Sequence, residues 1–171
     1  MVSFSLPSTF SPFLRFLTSI SLSITTICLV FSVLNEYGAQ SDYLTFVAVA
    51  ATYAYHTTII VIEVRNSRKS TFPTYSRKAA IISGFVLAVL WVVPLGVTAM
   101  HTIAEELTGT VYSSTEFWKG VAEAVACFCE MVAMFAVAGR ATRERLDISS
   151  QKKWEYVDIE TRADRLSFSY N

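Results

Sequence analysis

Four long apolar stretches alternate with short polar segments along this chain. They cover residues 13–34, 43–62, 79–100 and 117–138, so each contains about 20 residues. A helix rises about 1.5 Å per residue, and a stretch of this length therefore crosses the ~30 Å hydrocarbon core of a bilayer. The pattern predicts an all-α fold: an integral membrane four-helix bundle with short loops, formed by residues 1–140.

Basic residues cluster on alternate connections between these stretches. The connections at 35–42 and 101–116 contain acidic residues and neither Lys nor Arg, whereas Arg residues follow the fourth stretch at 140–145. By the positive-inside rule the basic segments face the cytoplasm, so both termini are expected to be cytoplasmic. The basic loop between the second and third spans, which we expect to lie on anionic lipid, contains Arg65, Arg68, Lys69, Arg77 and Lys78.

Residues 141–171 differ in composition from the four spans. Acidic and basic residues are mixed there and aliphatic residues are few. We expect this segment to be a flexible, charged, cytoplasmic C-terminal tail, with room for a short interfacial helix around Trp154 to Leu166.

The overall composition agrees with lipid as the solvent. Of the 171 residues, 53% are hydrophobic and only 16% are charged, whereas soluble domains carry about a quarter charged residues. The formal net charge is zero, so no global field attracts nucleic acid. The expected partners are the bilayer itself, anionic lipids at its cytoplasmic face, and other membrane proteins or further copies of this chain.

The sequence lacks the usual patterns of catalytic and metal sites. Cys28, Cys127 and Cys129 all lie within spans, and two cysteines two residues apart on a helix point in different directions. His101 and Glu105 have i,i+4 spacing and need a further carboxylate to bind a divalent cation, and such pairs are common by chance. No phosphate-binding glycine loop or Ser-His-Asp pattern is present. We therefore expect no catalysis, no cofactor and no bound metal.

Proline interrupts the third apolar stretch. Pro94 cannot donate a hydrogen bond to the Leu90 carbonyl, which predicts a kink toward the outer end of that helix. Trp91 lies deeper than the other interfacial aromatic residues, and we expect it to pack inside the bundle.

Small and hydroxylated residues are frequent in the first, second and fourth spans. Small residues at i,i+4 let helix backbones approach closely in lipid, where apolar burial alone does not drive association. We expect these positions to line the contacts of a compact bundle. The pairs are Ser19/Ser23, Ala50/Ala54 and Gly120/Ala124.

Ionisable residues within the spans are the sharpest chemical feature. His56 and Glu63 are seven residues apart on the second span, and Glu123 and Glu130 are seven apart on the fourth, so each pair shares a helix face. His56 and Glu130 each lie about 13 residues from the outer end of their span, which places them at similar depth. Charges at this depth are costly and need partners. We predict that His56 approaches Glu130 and that Arg15 approaches Glu63.

Three roles are open for these intramembrane groups. They can fix helix rotation and neighbour choice as structural contacts between helices. A His–Glu pair at mid-depth can also form a proton or cation relay. The third role is a polar site for a lipid headgroup or small ligand.

The architecture resembles that of the MARVEL-like four-span (tetraspan) proteins, in particular the small fungal type. The resemblance covers residues 13–145 and rests on the short chain, small outer loops and charged tail. It also rests on a polar fourth span, with Glu123 and Glu130, that ends in Arg140-Ala141-Thr142-Arg143. It implies membrane apposition, vesicle traffic or microdomain organisation, without catalysis.

The leading hypothesis is a non-enzymatic integral membrane protein that organises the membrane or partner proteins through lateral helix contacts. An alternative is a small transporter or channel subunit with a polar His/Glu path. A membrane-embedded enzyme is a third alternative. In each case the chain is a multi-pass protein of the plasma membrane or an endomembrane.

Overall fold

The computed structural model describes residues 11–35, 41, 43–66, 74–108 and 114–168. Five α-helices and a short 3-10 turn make up this part of the chain. Four segments are long and apolar enough to cross a bilayer: Pro12–Leu34, Leu44–Arg65, Lys78–Ala104 and Phe117–Ser150. The predicted all-α, four-span architecture is confirmed, and the chain is a four-span integral membrane protein. The elements are α1 (Pro12–Leu34), α2 (Leu44–Asn66), the turn Thr74–Ser76, α3 (Lys78–Leu90), α4 (Val92–Thr108) and α5 (Ser114–Phe168).

The start of α1 is fixed by its own sequence and then tied to α5. The Ser11 hydroxyl accepts a hydrogen bond from the Leu14 amide at 3.3 Å, and Pro12 occupies the first turn, where its missing N–H is not needed. The same hydroxyl donates to Glu144 Oε1 on α5. Nearby, the Arg145 guanidinium donates to the Ser76 carbonyl at 2.9 Å. We call this end of the bundle, where α1 begins and the 3-10 turn lies, the basic end.

A turn at Trp91 divides the third span into α3 and α4. Pro94 has no N–H for the Leu90 carbonyl, so the hydrogen-bond ladder is interrupted here. The Trp91 and Leu95 amides still donate to the carbonyls four residues earlier, at 3.1 and 3.3 Å. The interruption that Pro94 predicted is therefore present, and the two helices remain one span of 27 residues.

The segment after Ala141 is helical as far as Phe168, and the expectation of a flexible, charged tail over residues 141–171 stays a prediction. α5 continues without interruption to Phe168. Residues 141–168 contain neither Gly nor Pro, and opposite charges recur at helical spacing, as in the 3.6 Å contact of Arg140 Nε with Glu144 Oε1. The boundary expected between residues 140 and 141 falls within this helix.

α5 packs against α1, α3 and α4, while α2 packs against α1 and α3. The core between them consists mostly of small side chains around the fully buried Trp91. The Trp91 indole donates to Thr52 Oγ1 at 3.0 Å. The expected packing of Trp91 inside the bundle is confirmed.

One glycine lets α3 approach its neighbours closely. A Cβ at Gly84 would lie 2.9 Å from Tyr55 Oη on α2 and 3.3 Å from Ala138 Cβ on α5. Tyr55 Oη in turn donates to the Ala80 carbonyl on α3 at 2.9 Å. This contact sets the spacing between α2 and α3.

Two of the three predicted small-residue pairs lie outside the bundle. Ser19 and Ser23 on α1, like Ala50 and Ala54 on α2, are exposed, and only the pair on α5 faces inward, with Gly120 buried and Ala124 half-buried. The expectation was wrong for α1 and α2 because each helix turns its more polar groups inward, where they find partners on other helices. The exposed hydroxyl of Ser23 donates to the Ser19 carbonyl of its own helix, at 2.9 Å.

Candidate functional site

A stripe of polar side chains runs along the inner face of α1. Its members recur at alternating steps of four and three residues, so they stay on one side of the helix. This stripe faces the ionisable residues of α2 and α5, and together they form what we call the polar column. The buried residues on this face of α1 are Leu14, Thr18, Ser21, Thr25, Cys28 and Ser32.

Ser21 joins three helices at the middle of the column. Its hydroxyl lies 3.0 Å from His56 Nε2 on α2 and 2.5 Å from Glu130 Oε1 on α5. All three residues are fully buried. The structure therefore brings His56 and Glu130 together as predicted, with the serine hydroxyl as the bridge between them.

A tyrosine from outside the spans completes this cluster. Tyr75, in the 3-10 turn, has its hydroxyl 2.7 Å from His56 Nδ1. Burial raises the pKa of the Tyr75 phenol above its usual range, so the phenol keeps its proton. A neutral imidazole has one N–H, and the direction of the two His56 hydrogen bonds depends on which ring nitrogen carries that hydrogen. The Ser21 hydroxyl links His56 Nε2 to Glu130 Oε1, so the four side chains form one continuous chain of hydrogen bonds.

Glu130 lies at the end of this chain of hydrogen bonds, and one of its two carboxyl oxygens does not take part in it. Its Oε2 is buried and has no hydrogen-bond partner among the described residues. Met134 Sδ, at 3.5 Å from the Ser21 hydroxyl, adds a weak contact on the same side. Among the described residues, the centre of the bundle thus holds a buried carboxyl group on α5 with one of its two oxygens unpartnered.

Glu123 organises a second cluster at the opposite end of the spans. It accepts hydrogen bonds from Asn35 Nδ2 at 2.5 Å and from Thr45 Oγ1 at 2.9 Å. Asn35 Nδ2 also donates to the Lys119 carbonyl at 3.2 Å. Because Asn35 follows α1 and Thr45 lies in the first turn of α2, one carboxylate on α5 links three helices.

Two thiols connect the clusters along the column. Cys28 on α1 and Cys127 on α5 are free and buried and belong to the same core cluster. Cys129 is exposed, as expected from a spacing of two residues on a helix. The polar column therefore extends from Tyr75 at the basic end to Glu123 near the other end.

The remaining predicted residues lie at the basic end. Glu63 is buried and its Oε2 accepts the Thr74 amide at 2.7 Å, so it anchors the 3-10 turn to α2. Arg15 is half-buried on α1, and its approach to Glu63 stays a prediction. Arg65 and Lys78 are exposed and Arg77 is half-buried. Arg68 and Lys69 lie outside the described residues.

Sequence reasoning did not single out the groups that bridge the ionisable residues. The regular spacing of Ser21, Thr25 and Cys28 was a usable signal for the inner face of α1. For Tyr75, which enters from a connection, no periodic pattern exists to read. Asn35 and Thr45 lie at helix ends, where helical periodicity likewise does not predict which side chains meet.

Two cavities in the described part of the chain reach the basic end, and neither is lined by His56, Glu123 or Glu130. One, of about 700 Å³, separates α2 from α3. The other, of about 680 Å³, lies between α1 and α5 beside Arg140 and Arg143. Within the described part of the chain, no three His, Cys, Asp or Glu side chains are grouped to hold a metal ion.

The column can hold helices together, and it can pass protons along its hydrogen bonds. No family model, curated protein or solved structure matches this chain. Its assignment as a four-span integral membrane protein is therefore drawn from its own helices.

Proposed function

We propose that this chain is a non-enzymatic membrane protein that organises its neighbours in the bilayer through lateral helix contacts, beginning with further copies of itself. The observation that carries the proposal is the outward position of Ser19, Ser23, Ala50 and Ala54. Small residues at i,i+4 on a lipid-facing surface allow another helix to approach closely. The architectural resemblance to MARVEL-like proteins supports the same class of role.

The polar column supports this role from inside. Glu130 accepts a hydrogen bond from Ser21 on α1, Glu123 accepts hydrogen bonds from groups of α1 and α2, and both carboxylates are fully buried. Such contacts fix the rotation of each helix about its own axis, because a slip would leave buried polar groups without partners. A fixed rotation keeps the same small residues facing outward in every copy.

Bulky substitutions on this outward face are expected to weaken self-association without unfolding the bundle. Ser19→Leu combined with Ala50→Leu places large side chains where a second helix would approach. We expect roughly fivefold weaker association, a loss of about 1 kcal/mol, as for other close helix contacts in lipid. Energy transfer between donor- and acceptor-labelled copies in vesicles, followed as lipid is added, measures the change.

A matched control is available on another span. Gly96 on α4 is exposed, and a Cβ there meets no atom within 4 Å, so Gly96→Leu adds similar bulk away from the proposed contact. Association that is random in the unmodified protein, or that falls equally in both variants, would rule out the proposal.

The hydrogen-bonded chain of the column favours a second candidate function, proton relay. Tyr75, His56, Ser21 and Glu130 form one continuous chain of hydrogen bonds, along which a proton can pass from one group to the next. This role needs a water path to both ends of the chain in an open state of the bundle.

Proton flux into vesicles that contain the purified protein tests the relay. Flux is expected to fall at least tenfold in Glu130→Gln, which keeps the size of the side chain but removes the titrating group. Ser23→Ala, outside the column, serves as the control and is expected to leave flux unchanged. The absence of flux from the unmodified protein would eliminate the relay and leave the column as a structural contact.

A further inference from the structure

The cavity between α2 and α3 is an open groove on the outer surface of the bundle. Ile82 and Val86 on its α3 side are both 62% exposed, so the groove faces the surrounding lipid. Its volume is about 700 Å³, within the range of ordinary ligand sites. We call it the α2–α3 groove, and its apolar walls include Ala51, Ala54, Ile59, Ile62, Ile82 and Val86.

The length of the groove matches one leaflet of a bilayer. Its α2 wall extends from Ala51 to Ile62, which at about 1.5 Å per residue is roughly 16 Å. Half of a ~30 Å hydrocarbon core is about 15 Å. An acyl chain of a single leaflet can therefore lie along the whole groove.

The basic end of the groove is polar. Thr74 lines it and is only 4% exposed, yet its Oγ1 has no hydrogen-bond partner among the described residues. The Thr74 backbone is held in place because its amide donates to Glu63 Oε2 at 2.7 Å. Arg77 is the one charged residue among those described as lining the groove.

We propose that the α2–α3 groove binds an anionic phospholipid, with one acyl chain along its apolar walls and the phosphate held by Arg77 and Thr74. A guanidinium and a hydroxyl are both good donors to phosphate oxygens. The bound phosphate gives the buried Thr74 hydroxyl the partner that the protein does not supply. The occupant is a lipid, because the walls of the groove lie within the spans, at the depth of the hydrocarbon core.

Arg77→Gln is expected to weaken retention of the anionic lipid about fivefold, the effect of one cation near an anionic membrane surface. The measurement is native mass spectrometry of the purified full chain with added phosphatidylglycerol or phosphatidylcholine. The unmodified protein is expected to retain phosphatidylglycerol preferentially. Excess inorganic phosphate is expected not to displace it, since the acyl chain also contributes to binding.

Lys78→Gln is the matched control, because Lys78 is the adjacent cation, is exposed, and does not line the groove. It is expected to retain phosphatidylglycerol as the unmodified protein does. Equal losses in both variants would assign the preference to the overall charge of the basic end and overturn the site. Loss in Arg140→Gln but not in Arg77→Gln would place the lipid in the groove between α1 and α5, and would also overturn it.

Thr74→Val keeps the proposal testable if Arg77→Gln does not fold. The Thr74 hydroxyl has no partner within the described residues, so its replacement by a methyl group is expected to leave the unfolding temperature unchanged or raise it. The same variant is expected to retain less phosphatidylglycerol. Full retention in Thr74→Val would overturn the assigned phosphate position.

Discussion

Replacing Trp91 with alanine is expected to lower the free energy of unfolding by about 3 kcal/mol, the lower end of the range for buried tryptophan. Trp91 is fully buried at the break in the third span, where it packs against core residues of α1, α2 and α5. Alanine leaves a cavity there, which removes packing contacts of the surrounding core residues. The lost packing is the main cost, because in lipid the hydrophobic term between helices is small.

Trp118→Ala provides the matched control for this measurement. Trp118 is 64% exposed, so its removal is expected to change stability little. Trp91→Phe is expected to fall between the two, since it keeps an aromatic ring but loses the bond to Thr52. Reversible unfolding in mixed micelles measures all three variants. Equal destabilisation by Trp91→Ala and Trp118→Ala would contradict the assigned core.

Ser21→Ala is expected to destabilise the bundle by about 2 kcal/mol although it removes a single oxygen atom. The reason is that two fully buried groups, His56 Nε2 and Glu130 Oε1, lose their shared partner. Each buried polar group left without a hydrogen bond costs about 1–3 kcal/mol. Hydrogen bonds between membrane helices contribute less on average than this range. We therefore count about 1 kcal/mol for each of the two groups, which gives the expected loss of about 2 kcal/mol.

Ser23→Ala is the control on the same helix. Its hydroxyl is exposed and donates to the Ser19 carbonyl of the same helix at 2.9 Å, so its loss is expected to change stability by less than about 0.5 kcal/mol. Micelle unfolding of the two variants compares the inner and outer faces of α1 directly. If Ser21→Ala and Ser23→Ala were equally stable, the Ser21 bridge between His56 and Glu130 would contribute nothing to the free energy of unfolding.

A double-mutant cycle then assigns the energy to a contact. Ser21→Ala and Glu130→Gln are expected to be non-additive, since both change the same hydrogen bond. Additive effects would mean that each residue acts through other neighbours.

The depth of the ionisable residues could be predicted from sequence because a helix has a fixed rise. Counting residues from the ends of the spans put His56 and Glu130 at one level, and the two side chains meet there through Ser21. The interruption near Pro94 was predictable for a similar reason, since a missing N–H is a property of the residue itself. Neither inference needed any knowledge of neighbouring helices.

Which face of each helix is turned into the bundle could not be predicted in this way. α1 carries hydroxyl residues on two faces, and the sequence alone favoured Ser19 and Ser23 as contact positions, whereas Ser21 and Thr25 are buried. Apolar side chains do not orient a helix in lipid, because the hydrocarbon solvates them as well as a neighbouring helix does. Polar partners on α2 and α5 select the face.

The sequence by itself determined the number, length and order of the spans, because these depend on runs of apolar residues matched to the thickness of a bilayer. It also determined which ionisable groups share a depth. Only the tertiary structure decided that Tyr75 hydrogen-bonds to His56 and that Asn35 and Thr45 donate to Glu123. It also decided that the outer surface of the bundle carries small residues and a groove. Those outcomes depend on helix rotation and on the path of the connections, which are set by contacts between residues far apart in the chain.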